Sequence, residues 1–296
     1  GSEGLVAAGN IFMGMTESPV LIKNYLPTMN RSEIFLVMVS GMGTIAGSVM
    51  GTYIGMLGGT DPAAKVLFAT HLLSASVMAV PGSIVLAKML CPQTEEATDH
   101  VAISGKEKEN SNILDAISSG TVTGVKLMTN IAAMLLVFIS LVALANYITE
   151  GVIGRYTGLN DWIVKITDGK AQGLTFQFIL GVITSPFMWL IGVPSQDIML
   201  VGSLLGQKTI LNEFVAYFQL QQWIDAGLFM YEKSILMSTY ILCGFANISS
   251  IGILLGGLGV LAPEKRGLIS RIGVPAMIGG ALVSVLSATI IGMILG

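Results

Sequence analysis

Residues 192–197 read GVPSQD, and they divide an apolar stretch, residues 171–207, that is otherwise long enough to cross a bilayer once. Gly192 permits a tight turn and Pro194 removes a backbone donor. Asp197, in the same turn, is placed to cap the helix that follows. The break predicts two half-length helices that enter and leave on the same side. A re-entrant hairpin of this kind is tolerated at membrane depth only where protein or a water-filled cavity satisfies its backbone. Interrupted apolar segments also mark the binding regions of transporters. How far that reading goes depends on the rest of the chain.

Apolar residues make up 53% of the 296 positions and charged residues only 11%. A soluble domain carries about 25% charged residues. So few charges cannot cover a water-soluble surface, and the chain reads as an all-α integral membrane protein. The net charge of −3 gives no argument for nucleic acid. Cys91 and Cys243 show no metal-binding spacing and read as free thiols. The chain has no initiator Met and no signal peptide, and Gly1-Ser2 is either a cloning scar or native. The first apolar segment starts within a few residues of the N-terminus, as expected of a piece cut from a longer protein.

Five charge-free runs reach the roughly 20 residues that a spanning helix needs. They are Ile34–Thr60, Val66–Ala87, Leu127–Thr149, Ser234–Pro263 and Ile272–Gly296, each read as one crossing. Leu5–Thr16 is too short. Cys91–Lys126 is the long hydrophilic stretch, read as a solvated loop with a short amphipathic helix near 113–125. Residues 152–170 mix aromatic and charged side chains and suit a helix lying in the interface, anchored by Tyr156 and Trp162. The side bearing the loop after Leu90 collects Lys23, Arg31, Lys88, Lys106, Lys108, Lys126, Lys265, Arg266 and Arg271. The other side collects Lys65, Arg155, Lys165, Lys170, Lys208 and Lys233. This excess makes the first side cytoplasmic and puts the C-terminus outside.

The chain also repeats itself. GMTESPV (14–20) and LNEFVAY (211–217) each hold a Glu behind a small polar residue. Further on, GMGTIAGSVMG (41–51) and GFANISSIGILLG (244–256) each run Gly, two residues, then a polar residue before Ile. An odd number of crossings between the copies inverts one relative to the other. Inverted repeats around broken helices are a secondary-transporter architecture with its site at the midplane. The expected organisation is one transport core: residues 1–90 as the first repeat, 91–150 as loop and connecting helix, and 151–296 as interfacial helix and second repeat.

Glu17 and Glu213 then need a reason to be there. A charge near the bilayer centre costs at least about 2.5–3.5 kcal/mol. Both can accept hydrogen bonds from sugar hydroxyls or base N–H groups. Asn10, Thr16, Asn212, Asn247, Ser249 and Ser250 add neutral donors and acceptors, and Phe214 and Phe245 can cover a ring face. The spans offer no Arg or Lys to clamp an anion, so the expected guest is polar and uncharged. Asn10 and Thr44, beside Gly9 and Gly43, suit a sodium ion held by side-chain oxygens and freed carbonyls. A proton carried by either Glu is the competing coupling ion. His71 reads as a buried, hydrogen-bonded side chain and Asp61 as a turn residue. No HExxH or GxSxG spacing points to an enzyme, and single acids in unlike surroundings do not make the carboxylate ring of a channel.

These windows resemble the concentrative nucleoside transporters. NIFMGMTESP (10–19) is similar to that family's NxFxGQTEAP segment. GVPSQD is similar to its second-hairpin tip, and NEFVAYFQL (212–220) and STYILCGFANISSIGI (238–253) are similar to its NEFVAY and YxLCGFxNxSSI motifs. The resemblance implies a homotrimeric, ion-coupled nucleoside importer of the bacterial inner membrane. It implies nucleoside contacts from Thr16, Glu17, Val49, Glu213, Phe245, Asn247 and Ser250. It also implies sodium held by Asn10, the Met13 carbonyl, Thr44 and the Ile45 carbonyl. The family's Gln before Thr-Glu is Met15 here, and the usual Trp of the second-hairpin tip is Ser195. The chain begins inside what resembles the first hairpin, so the earlier scaffold helices are expected to be missing. The alternative guest is another uncharged polar solute, such as a modified nucleoside or a free nucleobase.

Overall fold

A computed structural model describes residues 1–95, 112–167, 169 and 171–296, and the described residues are helical with no strand among them. The first helices are α1 (Ser2–Gly9), α2 (Arg31–Gly43), α3 (Gly47–Gly58) and α4 (Pro62–Leu90), with a 3₁₀ turn at Ser18–Ile22 between α1 and α2. Then come α5 (Ile113–Asn146), a π-helical stretch (Tyr147–Gly154), a single turn α6 (Arg155–Thr157) and α7 (Leu159–Ile166). The chain continues through α8 (Phe176–Leu190), α9 (Ile198–Ile210), α10 (Glu213–Asp225), α11 (Glu232–Leu242), α12 (Ile248–Leu261) and α13 (Arg266–Ile294). It divides into two compact units, Gly1–Val101 with Gln177–Gly296, and Ala102–Phe176.

Among the described residues of the first unit, three stretches are long and apolar enough to cross a membrane: Arg31–Gly58, Pro62–Leu90 and Pro263–Ile294. Two of the expected uninterrupted spans are broken. Ile34–Thr60 splits at Thr44–Ala46, where the backbone turns extended between α2 and α3. Ser234–Pro263 splits between Leu242 and Ile248. Each half-helix that follows a break starts afresh, and Asn247 caps the second with its side chain. At the outer end of α2, Asn30 and Glu33 form a reciprocal cap.

Buried packing centres on α2 and α13. Ile34, Leu36, Met38 and Met42 of α2 join Ile269, Ile272, Ala276 and Val283 of α13 in one apolar cluster. The approach is close because α13 carries Gly279 and Gly280. A Cβ at Gly280 would lie 2.7 Å from the Met42 Cβ, and one at Gly279 would lie 2.8 Å from a Val39 methyl. Small residues at such crossings let membrane helices pack without a hydrophobic driving force.

The two ends of this unit are marked by polar ties. At one end the Lys88 ammonium meets Glu3 (2.6 Å) and Ser32 (3.1 Å), and the Ser32 hydroxyl donates to the Cys91 carbonyl (2.6 Å). At the other end Lys233 donates to the Gly296 carbonyl (3.1 Å). α1 runs inward from the Lys88 end, and the chain returns to that end before α2. α9 runs inward from the opposite end, and α10 returns there. The two hairpins therefore enter from opposite ends, as inverted repeats require.

Around GVPSQD the structure corrects the sequence reading. The half-helices do form, as α8 and α9, and they pack through glycine: a Cβ at Gly181 would meet the Met199 carbonyl at 2.8 Å. But their turn lies at the outer end. The Asp197 side chain does not cap α9. Its two oxygens instead accept from the backbone N–H groups of Met230 and Tyr231, both at 3.1 Å, in the α10–α11 loop. The hairpin whose tip reaches the centre is α9–α10, turning at Leu211–Asn212.

Lys208 is a second correction. The sequence places it among the loop charges and leaves the spans without Arg or Lys, but it is fully buried on α9, held by the Ile241 carbonyl and the Ser284 hydroxyl; its removal from the loops widens the positive-charge bias rather than reversing it.

In the second unit, the short helix expected near 113–125 and the span expected over Leu127–Thr149 are one helix, α5. No Pro interrupts it, and isolated glycines inside a helical pattern are tolerated. The interfacial segment is broken at Gly158, which takes a left-handed conformation (φ 74°). Trp162 and Tyr156 are exposed there, and Ile163 is buried. Residues 96–111 of the expected loop, with Lys106 and Lys108, lie outside the described residues, as does Lys170.

Candidate substrate site

The two breaks cross. The backbone N–H of Phe245 donates to the Thr44 carbonyl at 3.2 Å, joining one interrupted helix to the other. The approach needs glycine at 244. A Cβ there would lie 2.8 Å from the Ser284 hydroxyl and 3.0 Å from the Met42 carbonyl.

Glu213 sits beside this crossing, buried, as the first residue of α10. Asn212 caps that helix by accepting from the Val215 N–H at 2.9 Å. The helix N-terminus carries partial positive charge that favours a carboxylate. One Glu213 oxygen accepts from the Tyr53 hydroxyl (3.1 Å) and the other from the Asn247 amide (3.0 Å). The Asn247 carbonyl oxygen accepts in turn from the Ser250 N–H (2.9 Å), the Ser250 hydroxyl (3.0 Å) and the Ser249 hydroxyl (2.6 Å). Asn247 thus holds Glu213 with its donor and α12 with its acceptor. Tyr53 is fixed by stacking on Tyr217, with ring centres 4.2 Å apart, and Phe214 lies at 6.1 Å. Phe245 and Val49, both half-buried, pack on the same apolar cluster.

The structure therefore gathers Val49, Glu213, Phe245, Asn247 and Ser250. Thr16 and Glu17 lie elsewhere on the first hairpin. Thr16 packs on α12, where a Cβ at Gly257 would meet its methyl at 3.0 Å. Glu17 is exposed at the start of the 3₁₀ turn, and its carboxylate folds back over Gly14, where any Cβ would collide with it. Met15 is buried against Gly41 and offers that site no polar group.

The expected sodium residues converge where the first hairpin meets the α2–α3 break. The Asn10 amide donates to the Ser40 hydroxyl, and the Thr44 hydroxyl donates to the Ser40 carbonyl, both at 3.0 Å. The Ser18 hydroxyl donates to the Asn10 carbonyl oxygen at 2.5 Å. The Gly47 N–H donates to the Phe12 carbonyl at 3.0 Å, next to half-buried Met13. Asn10, Thr44 and Ile45 are buried. Every side chain here is neutral, and no cluster of three or more His, Cys, Asp or Glu able to hold a metal occurs among the described residues. Neutral oxygens suit a small monovalent cation better than a divalent one, which draws on carboxylates.

Nothing in the sequence singles out Tyr53, Ser18 or Ser40. A hydroxyl inside an apolar run is the available signal, and many such positions only bond their own helix. His71 is half-buried and its Nδ1 lies 3.1 Å from the Tyr240 hydroxyl. Asp61 caps α4 through the Ala63 N–H (2.9 Å). Both cysteines are free.

Two crossed broken helices, two opposed hairpins and a buried carboxylate facing half-buried aromatics define a secondary transporter core. Residues 71–292 match the family model described as Na+ dependent nucleoside transporter C-terminus. The chain is 39% identical to an uncharacterized transporter of Haemophilus influenzae, covering 100% of this chain and 66% of that one. It is 38% identical to sodium/nucleoside cotransporter 1 of Rattus norvegicus, covering 99% of this chain and 44% of that one. Among solved structures it resembles CNTnw in an inward-facing substrate-bound state (TM-score 0.82, 35% identity, 100% of this chain and 65% of that one). It also resembles a CNTnw variant in an outward-facing state (TM-score 0.84, 36% identity, 99% and 65%). The chain belongs to the concentrative nucleoside transporter family, whose members are membrane transporters and not enzymes. It spans about two thirds of the bacterial relative's length.

Proposed function

We propose that this chain is the transport core of an ion-coupled nucleoside symporter that imports its substrate by alternating access. The observation that carries the reading is Glu213, a buried carboxylate held by Tyr53 and Asn247 near half-buried Phe245. A carboxylate so placed accepts hydrogen bonds from ribose hydroxyls, and an aromatic face covers a base. Asn247 and Ser250 orient it, and Val49 lines the apolar side. Thr16 and Glu17 join from the first hairpin when its tip moves toward the crossing. CNTnw solved inward-facing, and as a variant outward-facing, supports alternating access.

The coupling ion of this reading is sodium, held by Asn10, Thr44 and the carbonyls of Met13 and Ile45, with a proton as the alternative. Residues 1–90 and 151–296 act as the two repeats. The whole protein works as a homotrimer in a bacterial inner membrane, embedded in its lipid. Buried Met15 leaves the base edge without an amide from that position, which keeps a modified nucleoside or a nucleobase as the second reading.

Uptake by the full-length protein in proteoliposomes tests this, with sodium and proton gradients imposed separately and uridine, adenosine and uracil as competitors. Glu213→Gln is expected to abolish nucleoside uptake while the protein still folds. Unchanged uptake in that variant rejects the site.

A further inference from the structure

Lys208 is a buried cation that the site as described does not use. It lies in the last turn of α9, the inward arm of the second hairpin, with 0% of its side chain exposed. Its ammonium donates to the Ile241 carbonyl at 2.7 Å and to the Ser284 hydroxyl at 3.0 Å. That hydroxyl donates on to the Cys243 carbonyl at 3.0 Å. Ile241 and Cys243 stand at the C-terminal end of α11, where the break leaves carbonyls without intrahelical partners and the helix presents partial negative charge. A cation there satisfies the carbonyls and the dipole together. It also balances Glu213, five residues on across the hairpin tip.

The first repeat has a comparable layout, although not in residue register: with Glu17 set opposite Glu213, Lys208 falls opposite Phe12. Asn10 ends α1, the inward arm of the first hairpin, and its side chain reaches Ser40 at the C-terminal end of α2. In the paired windows that open at Gly41 and Gly244, Ser40 falls opposite Cys243. One hairpin arm therefore brings a neutral amide to the end of its broken helix, and the other brings an ammonium.

We propose that Lys208 is a tethered cation, standing in the second repeat where the first repeat takes its transported cation. It is a positioning residue: it holds the α11–α12 break in shape, and with it Asn247 and Glu213, so the second repeat recruits no ion from solution. The proposal rests on the reading of the Asn10–Thr44 region as the cation site.

The test uses the full-length protein carrying Lys208→Ala or Lys208→Met, with n-propylammonium as probe, since it restores the part of the side chain that Ala lacks. Melting temperature in detergent and nucleoside uptake in proteoliposomes are both read. Removing one member of a buried charge set is strongly destabilising, so each variant should melt at a lower temperature and lose most of its uptake. Propylammonium should restore melting temperature and uptake saturably in Lys208→Ala. It should do nothing for Lys208→Met, whose side chain fills the space, or for the native protein. Should Lys208→Ala fold only when produced in propylammonium, the proposal gains. If propanol rescues as well as propylammonium, or if Lys208→Met melts and transports like the native protein, the charge has no role and the proposal falls. If the native protein itself takes up no nucleoside while melting of Lys208→Ala is still rescued, the proposed substrate is rejected and the tethered cation stands; melting rescued without uptake, where the native protein does transport, overturns the proposal that Lys208 positions the site.

Discussion

Tyr53 and Glu213 are 160 residues apart and share one hydrogen bond of 3.1 Å. Tyr53→Phe keeps the stack on Tyr217 and removes only the donor. Hydrogen bonds to charged groups contribute about 1.5–3 kcal/mol. The expected result is a lower melting temperature and a nucleoside KM raised at least about tenfold, measured on the purified full-length protein; an unchanged KM would show that the hydroxyl does not orient the carboxylate. At this scale the sequence reveals the acid but not its partner. Glu213 stands out because so few charges surround it, and the Asn-Glu pair recurs as Thr-Glu. Tyr53 stands in an apolar run of Gly, Met and Ile, and nothing local distinguishes an aromatic hydroxyl that reaches across the fold from one that does not. Glu17 is legible for the same reason as Glu213, yet its environment differs: exposed at a turn rather than buried at a helix start.

Among elements, the crossing of the two breaks sets the geometry, and Gly244 sets the crossing. Gly244→Ala places a methyl 2.8 Å from the Ser284 hydroxyl and 3.0 Å from the Met42 carbonyl, so backbone must move. Gly252, one turn into α12, faces open space, with nothing within 4 Å of where a methyl would stand, and Gly252→Ala serves as the control. Uptake should be abolished by the first change and kept by the second; equal uptake would mean that the close approach is not needed for transport. The α8–α9 turn makes a different prediction. Asp197→Ala leaves two backbone donors of the α10–α11 loop without their acceptor, at about 1–3 kcal/mol each if they stay buried. The site is roughly a helix away, since the 13 residues of α10 rise about 20 Å. Melting temperature should fall while nucleoside KM moves little, and a KM change as large as that of Tyr53→Phe would place the turn at the site after all. The half-helices on either side of GVPSQD are legible because Gly and Pro break helices by local chemistry. Where the turn docks is not, because the two N–H groups that capture Asp197 belong to residues 33 and 34 positions away. The breaks inside the two long spans are half-legible: Gly43 and Gly244 mark them, but glycine is common in membrane helices.

For the whole molecule, inversion is the organising fact, and its two halves are unlike in this structure. Ser48, the second residue of α3, is exposed, whereas Ser250 in the first turn of α12, which falls opposite Gly47 in the paired windows, is buried. Glu17 is exposed and Glu213 buried in the same sense. The repeat itself is readable from paired Glu residues and paired Gly-x-x-polar-Ile windows. Which half stands open is not, because both halves offer the same residue types, and access depends on how the hairpin tips pack. Alternating access converts this asymmetry into a measurement. In a background with Cys91→Ala and Cys243→Ala, Ser48→Cys should react quickly with a water-soluble maleimide, and Ser250→Cys slowly, in the state seen here. Adding nucleoside with the coupling cation shifts the population toward the state that binds them better. The Ser48→Cys rate should then fall and the Ser250→Cys rate change in the opposite direction unless the bound nucleoside itself covers it, which a non-transported competitor distinguishes. Rates that stay fixed for both positions under every gradient would mean that one arrangement persists, and a fixed arrangement cannot carry a solute across by alternating access.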